Sequence, residues 1–448
     1  MGNQPDIAAG RLTDSDYAEN FSDVHPPLDR KAALIESSRC YFCYDAPCIE
    51  ACPTGIDIPS FIRKISTDNV RGAAVDILKE NIMGGACARV CPTEVLCEQA
   101  CVRMAQEEKP VRIGLLQRYA TDHLMAAGDQ PFERAADSGK KVAVAGGGPA
   151  GLACAHRLSM LGHEVTVFET RPKAGGLNEF GIAAYKVPDN FAQREVDFIL
   201  ELGGIELRLG QTLGLNLNLP DLRSDYDAVF LGIGQAGVRK LGLAGEELHG
   251  VHNAVDFIEG LRQAGDLSKL AVGRRIVVIG GGNTAIDIAV QTKRLGAEDV
   301  TLVYRRGPEA MSATGHEQEF AQVNGVRIKH WAQPVGLIGE DGRIATVEFE
   351  YTELGSDGRL AGTGDRFRLE ADMVFKAIGQ AFIASPVQSG TADLLEIADG
   401  RIAVDEVGKT SWPEVWAGGD CVAGEDLTVQ AVQDGKVAAH AIDRYLRA

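Results

Sequence analysis

No stretch of the chain approaches the ~20 consecutive apolar residues of a membrane-spanning helix, so no spanning segment is expected. Basic residues are in short supply: 45 Lys and Arg face 63 Asp and Glu, a formal net charge of −18. That balance argues against nucleic acid, because a phosphate backbone demands a basic face. It is equally unfavourable for an anionic membrane surface. The opening MGNQPDIAAGRLTDSDY is polar and lacks the apolar segment of a secretory signal. Met1-Gly2 suits N-myristoylation, but Asp6 stands where that signal wants Ser or Thr. These absences lead us to expect a cytoplasmic protein, in which cysteines read as metal ligands rather than disulfides.

What is present is glycine and clustered cysteine. There are 52 glycines in 448 residues, above the usual ~7%, which suits turns and phosphate-binding loops. The length is too great for one core and predicts about three domains. Eight of the ten cysteines lie between Cys40 and Cys101. The first run is Cys40-x2-Cys43-x4-Cys48-x3-Cys52, followed by Pro53; the second is Cys87-x3-Cys91-x5-Cys97-x3-Cys101, with Pro92 after Cys91. Thiolates at this density, followed by Cys-Pro, are what iron–sulfur clusters require, because iron takes soft anionic ligands. Zinc is the alternative, since two four-cysteine sites absorb eight thiolates as well. Zinc ribbons bring paired C-x2-C knuckles, however, and only Cys40 and Cys43 have that spacing, which favours two [4Fe–4S] clusters. Counting alone distributes the eight cysteines as four per cluster.

Residues up to about 30 read as a loosely ordered arm, and about 31–125 as helices with cysteine-bearing loops between them. GDQPFERAADSGK reads as a linker. Two strand–turn–helix–strand units then recur: KVAVAGGGPAGLACAHRLSMLGHEVTVFE and RRIVVIGGGNTAIDIAVQTKRLGAEDVTLVYRR. In the first, Gly146, Gly148 and Gly151 permit the tight turn, the approach of a pyrophosphate and close helix–strand packing. The helix that opens at Pro149 and Ala150 offers N–H groups and positive potential at its N-terminus to phosphate, and both residues are counted with the cofactor-binding positions. Glu169 ends the next strand, where a carboxylate accepts ribose hydroxyls. In the second unit Gly280, Gly282 and Ala285 take the same places, with Asn283 and Thr284 opening the helix. No acid ends its second strand; Arg305 and Arg306 stand there, and guanidiniums suit the 2′-phosphate of NADPH. NADPH is therefore preferred over NADH. Cys154 reads as core packing.

Gly175-Gly176-Leu177 and Ala417-Gly418-Gly419-Asp420 complete a set that resembles the two-dinucleotide-domain flavoprotein reductases. That resemblance implies FAD in the first site, Asp420 on the ribityl chain and Thr428 near the flavin. Gly176, Leu177, Lys186, Leu213, Gly419, Ala377 and Gly379 are counted with the cofactor-binding positions. The expected fold is α/β: an α-helical iron–sulfur domain (1–135), an FAD domain (136–255 plus 385–448) and, inserted into it, an NAD(P)H domain (256–384).

CYFCYDAPCIEACPTGIDIPSFI, GGACARVCPTEVLCEQAC and PVRIGLLQRYATD resemble the amino-terminal part of dihydropyrimidine dehydrogenase, and the flavin subunit of its bacterial two-subunit form. The similarity runs from about residue 38 to the end. It implies one cluster on Cys40, Cys43, Cys48 and Cys101 and another on Cys52, Cys91, Cys97 and Gln117, leaving Cys87 a spectator. It also implies electron input from NAD(P)H through FAD and the clusters to a partner subunit. That partner carries FMN and iron–sulfur groups and reduces uracil or thymine to the 5,6-dihydro form. The FMN-carrying pyrimidine barrel is not expected in this chain. A further basic residue of the family's NADP site falls at Ser312. The alternatives are the small subunit of glutamate synthase and a ferredoxin-NADP reductase-type subunit. A thioredoxin-reductase-like enzyme is disfavoured, because residues 256–384 contain no cysteine. A redox sensor or scaffold leaves two nucleotide sites and two clusters without use.

Overall fold

The computed structural model describes residues 6–388 and 394–448, so Met1 and Gly2 lie outside the described residues. The chain divides into two compact units.

The larger unit comprises His25–Glu179, Asp189–Gly237 and Phe382–Ala448. Its first part is helical. Helix Ile58–Ser66 begins with Pro59 in its first turn and Asp57 as cap, whose carboxylate accepts the Ser60 amide at 3.0 Å. Ile58, Phe61, Ile62 and Ile65 follow at helical spacing and are all buried. They pack with Ile77 and Leu78 of helix Val70–Glu80, and with Leu116 and Leu124 of helix Ile113–Ala126. Helix Gly84–Val90 sits tightly in this group because it starts with glycine. A methyl group on Gly85 would stand 2.4 Å from the Phe191 ring.

A five-stranded parallel sheet follows, in the order Val415–Ala417, Ala228–Leu231, Lys141–Ala145, Glu164–Glu169, Ile205–Leu209. Val142 to Ala145 are all buried, as expected for a parallel strand covered on both faces. Helix Thr428–Arg447 packs on helix Pro149–Met160, and Gly435 lets the two backbones meet: a Cβ there would be 2.1 Å from the Ala150 carbonyl oxygen.

The smaller unit comprises the chain up to Val24, Phe180–Pro188 and Val238–Ala381. Its parallel sheet runs Arg327–Lys329, Asp299–Val303, Arg275–Gly280, Met373–Ala377, Val251–Asn253. A three-stranded antiparallel sheet, Ala332–Glu340, Arg343–Leu354 and Leu360–Glu370, accompanies it. The α/β class with two Rossmann-like sheets thus stands. In sequence, the second sheet falls between strands of the first.

Three expectations about boundaries are corrected. From residue 6 to Val24 the arm belongs to this unit and not to the helical region. Ile7–Ala8 pairs with Val272–Gly273, and helix Asp14–Asn20 is held by a capping box of Thr13 and Asp16. Ile7, Leu12, Tyr17, Phe21 and Val24 enter the unit's apolar core; polar neighbours mask them in the sequence. Residues 180–188 also belong here, because the Ala183 and Ala184 amides donate to Asp287 Oδ2 and Gln291 Oε1. The unit's last segment opens at Val238 rather than at 256, since Val251–Asn253 is its edge strand. No helix among the described residues is long and apolar enough to cross a membrane.

Replacing Gly435 with Val should separate its helix from Pro149–Met160, costing about 1–3 kcal/mol and lowering the first thermal transition by several degrees. Calorimetry on the purified protein checks this, and an unchanged transition would contradict the packing described.

Candidate functional site

The eight cysteines gather from loops and helix ends. Cys40 and Cys43 lie in irregular chain, Cys48 in the short helix Pro47–Glu50, and Cys101 caps helix Val102–Glu107. Phe42, between the first two, has φ +53°, a left-handed conformation unusual for an aromatic residue. This turn aims the Phe42 amide at Cys40 Sγ, 3.4 Å away. Cys40, Cys43, Cys48 and Cys101 line one open cavity, walled by Ile58, Ile62, Val111 and Ile113. Burial, then the neighbouring Cys101, Cys40 and Cys43, pushes the Cys48 thiol up to about 12.

The remaining thiols form a second group. Cys91 is raised by its hydrogen bond with Cys87, then by burial, and then by the charges of Cys87, Cys97 and Cys52. Cys97 is raised by burial and then by Glu98 and Cys52. Gln117 is buried on helix Ile113–Ala126, and its Nε2 donates to the Gly84 carbonyl at 2.7 Å. That bond fixes the amide's orientation and leaves Oε1 as its acceptor. Glu195 helps to set helix Gly84–Val90: its carboxylate accepts the Ala86 amide at 2.9 Å, and burial raises it to about 7. Among the described residues, no group of three or more His, Cys, Asp or Glu converges on a single ion.

The first nucleotide turn is built by backbone contact. Gly146 has φ +104°, and a Cβ on it would lie 2.2 Å from the Gly232 carbonyl oxygen. A Cβ on Gly151 would lie 1.9 Å from the Gly146 carbonyl oxygen, and one on Gly176 would be 2.7 Å from the Gly148 Cα. The Gly175 amide donates to the Gly147 carbonyl at 2.7 Å. These approaches leave a cradle at the start of helix Pro149–Met160, where Gly148 and Ala150 carry N–H groups outside the helix's own bonding and Pro149, in the first turn, has none to leave unpaired. Glu169 is buried, and its two oxygens accept the Gly147 and Arg171 amides, each at 2.8 Å.

Gly419 donates to Asp434 Oδ2 at 2.9 Å, and Asp420 beside it is raised to about 6 by burial, then by Asp426. Thr428 opens the last helix, and its hydroxyl donates to Asn178 Oδ1 at 3.0 Å. Asn178 Nδ2 is buried without a hydrogen-bond partner among the described residues. Asn178 was not anticipated; its signal was its place directly after Gly175-Gly176-Leu177. Leu213 is buried, and bridges to Leu217. The glycine cradle and the unpartnered Asn178 amide fit a bound dinucleotide.

In the smaller unit Gly280 repeats the device, with a Cβ there standing 2.2 Å from the Ala377 carbonyl oxygen. Gly282 caps helix Asn283–Arg294, which places Asn283 and Thr284 in its first turn and buries Ala285. The Tyr304 ring lies against Gly281, where a Cβ would be 2.4 Å from it, and its hydroxyl donates to the Ala310 carbonyl at 2.6 Å. Ser312 reaches the same turn, with its Oγ 3.1 Å from the Cβ position of Gly282. Arg305 and Arg306 are exposed. Gly379, with φ +100°, follows the strand that ends at Ala377.

Lys186 stands apart from both glycine turns in its bonding. It pairs with Asp287 at 2.8 Å and Glu317 at 2.6 Å. Burial lowers its pKa, but the two carboxylates outweigh this and hold the ammonium charged. The structure therefore gives Lys186 protein partners rather than a free charge for a cofactor.

Residues 17–129 match the family described as dihydropyrimidine dehydrogenase domain II, 4Fe-4S cluster, and residues 140–435 match pyridine nucleotide-disulphide oxidoreductase. The chain is 35% identical to the NAD-dependent dihydropyrimidine dehydrogenase subunit PreT of Salmonella typhimurium, over 97% of this chain and 98% of that protein. It is 34% identical to the glutamate synthase [NADPH] small chain of Escherichia coli, over 95% of this chain and 94% of that one. Among solved structures, Mycobacterium tuberculosis FprA in complex with NADPH aligns with TM-score 0.56 at 21% identity, covering 69% of this chain and 85% of that one. This last likeness speaks to fold alone. The chain is an oxidoreductase, and it belongs to the pyridine nucleotide-disulphide oxidoreductase family, in the group that carries an amino-terminal 4Fe-4S domain of the dihydropyrimidine dehydrogenase type.

Proposed function

We propose that this chain is the electron-input subunit of a cytoplasmic dihydropyrimidine dehydrogenase. It oxidises NAD(P)H and delivers electrons, by way of FAD and two [4Fe–4S] clusters, to a partner that carries FMN and iron–sulfur groups and reduces uracil or thymine. When bound, the flavin takes up hydride as an electron pair and the clusters carry electrons singly. The protein's own work is to hold and orient. Gly146, Gly148 and Gly151 bring backbone N–H groups to a pyrophosphate; Glu169, Asp420 and Thr428 engage the ribose, ribityl and flavin portions. Gly280, Gly282 and Ala285 do the same for the nicotinamide nucleotide, and Arg305 and Arg306 read its 2′-phosphate.

The observation that carries this reading is the grouping of the thiols. Cys101 from the second sequence run shares a cavity with Cys40, Cys43 and Cys48 from the first. Cys52 is felt instead by Cys91 and Cys97. This crossed grouping supports the exchange of Cys52 and Cys101 that the resemblance implies over four consecutive cysteines per cluster, while Cys87 bonds to Cys91 within the second group. Thiols spread around a cavity, rather than a point, support a cluster over zinc. A second reading, electron delivery for glutamate synthesis, is favoured by the 34% identity to the glutamate synthase small chain. Reconstitution with each candidate partner separates the two: uracil-dependent NAD(P)H oxidation supports the first, glutamate formation the second.

Anaerobically purified protein should carry about eight irons and eight acid-labile sulfides per chain. Stoichiometric zinc without labile sulfide would sink the cluster reading. Substituting both Arg305 and Arg306 by Ala should raise KM for NADPH at least about tenfold with little change for NADH; equal effects on both nucleotides would remove the 2′-phosphate role. Cys87→Ala should keep both clusters, whereas Gln117→Cys should lower one cluster's potential by adding a thiolate charge. Loss of about half the iron from Cys87→Ala, with Gln117→Ala silent, would reverse that assignment.

A further inference from the structure

The tripeptide Cys-Pro-Thr occurs twice, as Cys52-Pro53-Thr54 and Cys91-Pro92-Thr93, and the fold spends the two threonines differently. At Thr93 the side chain bonds to Glu98. At Thr54 the hydroxyl turns back on its own cysteine, with Oγ1 3.3 Å from Cys52 Sγ. A tight turn produces this. The Gly55 amide donates to the Cys52 carbonyl at 2.8 Å, and Gly55 takes φ +69°, a left-handed conformation that glycine adopts without steric cost. Ile56 and Ile58 follow at once and are buried in the helical core, which anchors the far side of the turn.

A second contact fixes Thr54 from outside the helical region. Thr54 is 2% exposed, and its carbonyl accepts a hydrogen bond from Lys436 Nζ at 2.8 Å. Lys436 lies on helix Thr428–Arg447, directly after the Gly435 that lets this helix meet Pro149–Met160. The same ammonium pairs with Glu80 at 3.1 Å, at the end of helix Val70–Glu80, and its side chain is only 14% exposed. Lysine is among the residues least often buried. Here one buried cation ties together the last helix, the end of Val70–Glu80 and the peptide that orients the Thr54 hydroxyl.

Chemistry gives the Thr54–Cys52 bond its direction. A free thiol donates or accepts, but a sulfur bound to iron is a thiolate and only accepts, so the hydroxyl donates. A donor at a ligand sulfur stabilises the reduced form more than the oxidised one, because reduction adds negative charge to the sulfurs. We propose that Thr54 and Lys436 are positioning residues for the iron–sulfur group on Cys52. The Thr54 hydroxyl donates to the Cys52 sulfur and raises that group's reduction potential, and Lys436 holds the Thr54 peptide where it does so. This rests on the reading of Cys52 as a cluster ligand.

The test is an anaerobic redox titration of the flavin-loaded full chain, followed by electron paramagnetic resonance, with iron and labile sulfide counted in each sample. Thr54→Val, which keeps the shape and removes the hydroxyl, should keep full iron and lower one of the two midpoints. At a given potential the reduced-to-oxidised ratio should fall about three- to tenfold, which is ~30–60 mV for one electron. Thr54→Ser, which keeps the hydroxyl, should stay near the unsubstituted value, and Lys436→Met should lower the same midpoint as Thr54→Val. Unchanged midpoints in Thr54→Val at full iron would overturn the proposal and leave the cluster reading standing. Equal lowering by Thr54→Ser and Thr54→Val would also overturn it, reducing Thr54 to a shape that fills the turn. Iron lost from both Thr54 variants would overturn it too, making Thr54 a folding residue. If the unsubstituted protein carries no labile sulfide, the cluster reading fails and the proposal with it.

Discussion

At Gly146 a methyl group would stand 2.2 Å from the Gly232 carbonyl oxygen, and at Gly280 one would stand 2.2 Å from that of Ala377. In each unit the strand that should carry a nucleotide therefore ends where its neighbour's backbone closes in, and no side chain fits between. Everything around the turns is arranged to keep that approach. Gly151 and Gly435 bring helix onto strand and helix onto helix, while Tyr304 and Ser312 close over the second turn. The result in each unit is a three-glycine turn with no side chain of its own at the helix start. That is the condition for close contact with a pyrophosphate.

The thiol-bearing half obeys a different constraint. Cys48, Cys91 and Cys97 are all driven toward the neutral thiol by burial and by one another. A buried group of anionic sulfurs is tolerable only beside compensating positive charge, so loading with iron should release protons and tighten this region. The apolar helical core built on Phe61, Ile62, Ile77 and Leu116 supplies a wall for the first cavity through Ile62. Apolar walls also keep water from the metal and so tune its potential.

Much of this was legible in the sequence because it is local. Cysteine spacing, two glycine fingerprints and the order of strand and helix are all written in short windows, and they led to the α/β class and to the site glycines. What escaped depends on distant placement. The arm's apolar residues are scattered among polar ones and become intelligible only against Val272–Gly273. Lys186 is counted with the cofactor-binding positions, and only the fold shows Asp287 and Glu317 paired with it. Spacing could not decide which cysteines share a cavity either, since Cys101 returns to the first run through the fold.

The central claim is that one chain joins a nicotinamide donor to iron–sulfur carriers. Its most direct test is anaerobic titration of the purified protein with NADPH, with visible absorbance and electron paramagnetic resonance recorded on the same samples. The account predicts that the flavin band bleaches and that a reduced-cluster signal grows from the same added reductant. A flavin that stays oxidised under excess NADPH and NADH, with clusters reducible only by dithionite, would contradict it.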